Sequence, residues 1–155
     1  MTQLLADRLV LQTPREDLWD ILRSPERLAR VLPGCEELHA IGPDVYEGMF
    51  KTRVQFLTLR AKATARLRDL QPPDRLRLEL DGRPLGLAGS FVVSVQLDLE
   101  EDGNGTVVDY AMDLAATGRL ASFGTPLLRD TARRQVHELV RNLEREIGRG
   151  QAEEN

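Results

Sequence analysis

The sequence predicts an α+β fold: a seven-stranded antiparallel sheet curved around one long C-terminal helix, with two short helices after the first strand. Three observations carry this reading. Leu120, Phe123, Leu127, Leu128, Ala132, Val136, Leu139, Leu143 and Ile147 recur every three or four residues, the spacing of one helical face. Between Cys35 and Ala115 the apolar period is 2, as in strands with one wet face. Each apolar stripe must be buried against another element, so the sheet has to hold the helix.

Gln3 to Thr13 reads as the first strand, ended by Pro14, with Leu9 and Leu11 inward; Leu4, Leu5 and Val10 blur its alternation. Pro14 opens a short helix with Glu16 and Asp17 in its first turn and Leu18, Trp19 and Leu22 on its apolar side. Ser24-Pro25-Glu26 repeats the device, Ser24 as N-cap and Pro25 in the first helical position, and Pro33-Gly34 ends this second helix. Together the two form a V-shaped prop beneath the sheet. After the turn at Gly42-Pro43-Asp44, the residues Tyr46, Gly48, Phe50, Thr52, Val54 and Phe56 fall on one face. Leu57, Leu59, Ala61, Ala63, Ala65 and Leu67 make the cleanest strand, and Leu76, Leu78 and Leu80 follow the Pro72-Pro73-Asp74 turn. Gly82 to Gly89 reads as a loop. Phe91 to Leu99 and Thr106 to Leu114 then pair across the hairpin Asp102-Gly103-Asn104-Gly105. Proline lacks an amide hydrogen, so Thr125 is assigned as N-cap of the long helix and Pro126 as its first residue, with Leu120 to Phe123 a separate turn or kinked leader. Gly148 and Gly150 are expected to stop the helix, making 1–149 one domain and 150–155 an acidic tail.

A chain of 155 residues buries enough surface to need no metal or disulfide staple, and Cys35 has no cysteine partner. The opening stretch is interrupted by Asp7 and Arg8, unlike a signal sequence, which points to the cytoplasm. No apolar run approaches the roughly 20 residues of a spanning helix. Net charge is −4, yet Lys51 to Arg83 holds nine basic residues against four acidic ones. Arg60, Lys62, Arg66, Arg68, Arg75 and Arg77 fall on the wet face, either as an ordinary solvated surface or as a docking face for anionic lipid or an acidic partner. Without interleaved aromatics that face does not suggest nucleic acid. His39, His137 and Cys35 match no metal spacing, and Glu36-Glu37 and Glu100-Glu101-Asp102 sit at turns. The inner face along Ala61, Ala63 and Ala65 is under-filled beside a single helix, so either the sheet bends close there or the space holds something apolar.

Leu18-Trp19 and the run Ser24-Pro25-Glu26-Arg27-Leu28-Ala29-Arg30-Val31-Leu32-Pro33-Gly34-Cys35-Glu36 carry a family resemblance. It continues through Gly42, Asp44, Tyr46, Pro73, Gly105-Thr106, Tyr110, Gly118-Arg119-Leu120-Ala121 and Phe123-Gly124. The chain resembles the CoxG family of carbon monoxide dehydrogenase subunits, within the START-like, or SRPBCC, helix-grip superfamily. It departs from the family in having Val54-Gln55-Phe56 in place of a Val-Gly-Pro-like break and Val136 to Val140 in place of a Phe-Phe pair. The hydrophobic C-terminal extension of some members is also missing.

The resemblance implies a non-enzymatic accessory protein of a molybdenum hydroxylase of the carbon monoxide dehydrogenase type. Such a protein binds a menaquinone- or ubiquinone-like molecule or a lipid, has no metal or covalent cofactor, and works in the cytoplasm, peripherally at the inner face of the membrane. On that expectation Tyr46, Phe50, Phe91, Tyr110 and Phe123 stack on a planar ring, or else simply pack the core. Leu59, Ala63, Leu76, Leu78, Leu127 and Leu128 hold its tail. Thr131 and Gln135 either hydrogen-bond a ligand carbonyl or sit in water at the edge of the stripe. The rival readings are a polyketide cyclase- or hydratase-like enzyme of the same superfamily and a docking module with a filled core.

Overall fold

The computed structural model describes residues 1–154, with side chains through Gly150. Its elements are β1 (Thr2–Leu11), α1 (Arg15–Leu22), α2 (Pro25–Val31), β2 (Cys35–Gly42), β3 (Val45–Val54), β4 (Leu57–Gln71), β5 (Arg75–Pro84), β6 (Phe91–Asp102), β7 (Gly105–Ala116), α3 (Gly118–Ala121) and α4 (Thr125–Glu154). The strands form one antiparallel sheet in the order β1-β7-β6-β5-β4-β3-β2. Consecutive strands β1 and β2 therefore lie on opposite edges, and α1 and α2 carry the chain between them. From β2 onward the sheet is a meander that ends with β7 beside β1.

Local chemistry explains most boundaries. The Ser24 hydroxyl accepts the Arg27 amide hydrogen at 3.4 Å, with Pro25 in the first turn, so α2 starts as its sequence dictates. A register slip between Gln3 and Leu5 is a bulge that turns both Leu4 and Leu5 into the core. That bulge is why the alternation in β1 is blurred.

Four expectations need correction. Phe56 is not inward: β3 ends at Val54, Val54 pairs with Leu57, and Gln55-Phe56 is a two-residue turn with Phe56 94% exposed. Gly82 belongs to β5 rather than to a loop, paired with Ala63 and Phe91, and it is glycine because a Cβ there would stand 2.7 Å from the Lys62 carbonyl oxygen and 2.7 Å from the Phe91 ring. The long helix begins at Thr125, and the Gly124 carbonyl accepts the Leu128 amide hydrogen at 3.1 Å, so Gly124 takes the cap position assigned to Thr125. Pro126 is tolerated because every amide in a first turn lacks an intrahelical acceptor. Finally, α4 runs through Gly148 and Gly150 to Glu154. Glycine weakens a helix interior by about 1 kcal/mol but does not forbid it. The tail assigned to 150–155 is thus helical to Glu154, and Asn155 lies outside the described residues.

The largest buried cluster joins Leu18, Trp19 and Leu28 of the short helices to Tyr46, Ala65, Leu67, Leu76, Leu99 and Val108 of the sheet. Its two polar aromatics are satisfied: Tyr46 Oη donates to the Leu22 carbonyl at 3.0 Å and Trp19 Nε1 to the Pro73 carbonyl at 3.2 Å. The distal part of α4 is fixed to α2 by charge. Glu146, only 5% exposed, accepts from Arg27 Nε at 3.0 Å, Arg30 Nε at 2.7 Å and Arg30 Nη2 at 2.8 Å. Asn142 Nδ2 donates to the Val31 carbonyl at 3.0 Å beside it.

The Arg30 hydrogen bonds, reinforced by Arg27 against the opposing effect of burial, hold the Glu146 carboxyl down at about 2 instead of 4.5. Because the folded-state pKa is the lower one, this stabilisation is present in full above about pH 5 and disappears as pH falls from 4.5 toward 2. Glu146→Gln is expected to cost about 2 kcal/mol at pH 7, between the values for a fully buried and an exposed ion pair. Urea unfolding at neutral and acid pH checks this: the wild-type and variant midpoints should converge as pH falls toward 2.

Candidate functional site

Helix α4 lies closest to β1, β3 and α2. Polar contacts hold both of its long sides. Arg129 Nε donates to the Leu4 carbonyl at 2.9 Å, Gln135 Nε2 to Thr52 Oγ1 at 2.9 Å, and Arg134 Nη2 to the Arg53 carbonyl at 2.9 Å. The helix therefore bridges the sheet, and what lies under the bridge is decided by β5 and β6.

There the inward residues are less buried than their central position suggests. Leu76 is 0% exposed and Leu99 is buried, where α1 and α2 cover them. Farther along the same face Leu78, Leu80, Val93, Val95 and Leu97 are only half-buried. The buried residues also fall into three clusters instead of one. Besides the cluster around Trp19, Leu4 and Leu5 pack with Ala132 and Val136, and Val54 and Leu59 pack with Leu120. A domain of this size ordinarily has one contiguous core. The three clusters flank this half-buried apolar zone, and Leu78, Leu80 and Leu97 pack against the first of them.

The inward aromatics divide among these clusters. Tyr46 is 4% exposed and its hydroxyl is committed to Leu22, so it locks β3 to α1 and presents no surface to a ligand. Leu59, Phe91, Phe123 and Leu127 meet in the cluster with Leu120, while Tyr110 and Leu128 join the one at Val136. Leu78 borders the first cluster, and Phe50 is half-buried opposite Ala61. Thr131 Oγ1 donates to the Leu127 carbonyl of its own helix at 3.0 Å, and Gln135 is engaged with Thr52. Ala63 and Ala65 are buried, Ala65 completely. The alanine strip is thus where the structure closes up: Leu38 leans over Gly48 and the Phe91 ring over Gly82, the two glycines that flank Ala63. The half-buried zone of β5 and β6 was missed in the sequence, where its residues look like ordinary core.

Burial, and then the negative charge of Asp7, push the Tyr110 phenol above its ordinary range, so it remains a hydrogen-bond donor. Burial pushes the Cys35 thiol up to about 11, and Sγ donates to the Glu37 carbonyl at 3.4 Å, leaving it protonated at neutral pH. His39 and His137 are exposed. The described residues contain no cluster of potential metal ligands. On the wet face the cations are largely paired across strands: Arg60 with Glu36 at 2.9 Å, Lys62 with Glu47 at 3.5 Å, Arg68 with Glu79 at 3.2 Å and Arg75 with Asp98 at 3.3 Å.

An open antiparallel sheet wrapped on a C-terminal helix, with two short helices crossing between its edge strands, defines a START-like helix-grip protein. Residues 9–148 match the model of the CoxG family of carbon monoxide dehydrogenase subunits, and the chain belongs to that family. Its fold is similar to that of a conserved Geobacillus kaustophilus protein, at TM-score 0.82 and 22% identity over 92% of this chain and 93% of the other. Proteins from Thermus thermophilus (TM-score 0.67, 14% identity, 94% and 97% covered) and Mycobacterium smegmatis (0.63, 13%, 94% and 91%) share it too. No curated protein matches the sequence.

Free space and closed packing respond differently to added volume. Ala65→Leu, at a fully buried site, is expected to cost about 1–3 kcal/mol, whereas Val95→Leu, at a half-buried one, should stay within about 0.5 kcal/mol. Chemical denaturation of the two variants checks this.

Proposed function

We propose that this protein is a non-enzymatic accessory protein that holds a hydrophobic ligand, a quinone or a lipid, between the sheet and α4. In this reading it serves a molybdenum hydroxylase of the carbon monoxide dehydrogenase type and the transfer of its electrons to the membrane. The observation that carries the proposal is the half-buried apolar surface of Leu78, Leu80, Val93, Val95 and Leu97 in the middle of the sheet. Apolar surface facing an interior space is stabilised when an apolar molecule replaces water there. Phe91, Phe123 and Tyr110 border the same space and offer ring faces to a planar head group. The family supports the choice of partner enzyme, since its description is that of a dehydrogenase subunit. Nothing in that space favours acid–base catalysis: Glu146, the buried carboxylate, is engaged by Arg27 and Arg30.

Native mass spectrometry of the purified protein, followed by organic extraction, tests the proposal. The expected result is a prenylated quinone or lipid at near one-to-one occupancy, lost in Val95→Trp, whose indole fills the space. A wild-type protein that is empty, and stays empty when offered quinones and lipids in membrane mimics, would overturn it.

A further inference from the structure

Strand β2 begins at Cys35 opposite Phe50, so β3 has no strand along its outer edge from Lys51 onward. Val54 pairs with Leu57 across a two-residue turn, which makes them the hydrogen-bonded closing pair, and the alternation then points the backbone groups of Lys51 and Arg53 away from β4. Two of those groups have partners. The Lys51 amide hydrogen is donated to the Gly34 carbonyl at 2.8 Å, and Arg134 Nη2 donates to the Arg53 carbonyl at 2.9 Å. The register leaves the Arg53 N–H as a main-chain donor facing out from the sheet edge.

That edge is one wall of a groove of about 770 Å³, and α4 is the other. Lys51, Arg53, Arg133, Arg134 and Arg141 line it together with Thr58, and Glu138 is its one carboxylate. Arg133 is paired with Asp130 at 3.3 Å, but among the described residues Lys51, Arg53 and Arg141 have no carboxylate within ion-pair distance. On the wet face, by contrast, carboxylates across the strands already meet the arginines. The walls are also fixed in place, since Gln135 Nε2 donates to Thr52 Oγ1 at 2.9 Å and Arg134 is held at the Arg53 carbonyl.

We propose that this groove binds a soluble small molecule carrying two or more phosphoryl groups. An open sheet edge with a free N–H makes a concavity suited to an anion, and a guanidinium fork matches phosphoryl oxygens. Arg134 and Arg141 stand two turns apart on one side of α4, about 10 Å along its axis, a span that suits a ligand larger than a lone phosphate. The groove volume lies in the ordinary range for small-molecule sites, about 300–1,000 Å³. An added strand would need a longer free edge than Lys51 to Val54 offers. No residue of β5 or β6 lines the groove, so this site is separate from the apolar zone of the proposed interior ligand.

Isothermal titration of the full chain with inorganic pyrophosphate at constant ionic strength, alongside amide NMR, tests this. The expected result is saturable one-to-one binding that moves the Arg53 amide resonance and those of α4 around Arg134 to Arg141, with no saturable binding of acetate. Arg141→Gln, on the exposed side of the helix, should weaken pyrophosphate about tenfold. Arg53→Pro should weaken it further than Arg53→Gln, because proline is tolerated where an edge N–H faces solvent and removes that donor. Arg75→Gln, whose partner Asp98 lies on the wet face, should bind as the wild type does. Circular dichroism confirms folding of each variant. Absence of saturable binding, an unmoved Arg53 amide, or wild-type affinity in Arg141→Gln overturns the proposal. The groove is read with pyrophosphate and the interior ligand by extraction, so either proposal can fail while the other stands.

Discussion

One helix cannot cover the concave face of this sheet. Seven strands at about 4.8 Å spacing span roughly 30 Å, while a helix with its side chains is about 10 Å across. The remainder must be taken up by sheet curvature, by further elements, or by space. Further elements and curvature account for most of it. The short helices α1 and α2 fill one part, where Leu76, Leu99 and Val108 are fully covered. Curvature brings the region of β1 and that of β3 to opposite sides of α4. What is left over is the half-buried stretch of β5 and β6, and the division of the core into three clusters follows from it.

Such a bridge is stable only if its supports do not depend on the material beneath it. The supports here are polar and peripheral: Glu146 with Arg27 and Arg30 at the distal part, Arg129 on β1, and Gln135 and Arg134 on β3. Glu146 differs from the surface ion pairs because its carboxylate is buried and receives three hydrogen bonds. Removing it would leave two arginines facing a poorly hydrated site, whereas removing Asp98 from Arg75 leaves two groups already half in water. The most deeply buried ion pair therefore stands where α4 meets α2.

Most of the fold was legible because burial on one face writes a period into the sequence, 2 for the strands and 3.6 for α4. The period tells which way a side chain points. It does not tell what stands opposite. Ala63 and Ala65 look like the floor of a void, yet Leu38 and Phe91 reach across the flanking glycines, and Ala65 is fully covered. Leu78 and Val95 look like ordinary core and are only half-buried. Phe56 fits the alternation of β3 and is nonetheless at a turn, because a strand and the first residue past its end cannot be told apart by period alone. Glu146 had no signal at all: it is one acid among many on a charged helix, and its partners lie more than a hundred residues away in sequence.

Charge shows the same difference between composition and arrangement. The run from Lys51 to Arg83 is basic in sequence, but a sheet face sets neighbouring strands about 4.8 Å apart and lets each arginine find a carboxylate across the ladder. Past Phe50 the outer edge of β3 has no strand beside it, and pairing fails there for lack of a neighbour. Lys51 and Arg53 border the same groove as Arg133, Arg134 and Arg141 of α4, with Glu138 among them and Asp130 paired to Arg133 at 3.3 Å. Cations outnumber acids there, a standing cost that bulk solvent only partly screens. The cost is tolerated at the margin where the Gln135–Thr52 hydrogen bond joins α4 to β3, beside the cluster of Leu59, Phe91 and Phe123. The fold thus sets its cation-rich groove beside the turn that exposes Phe56.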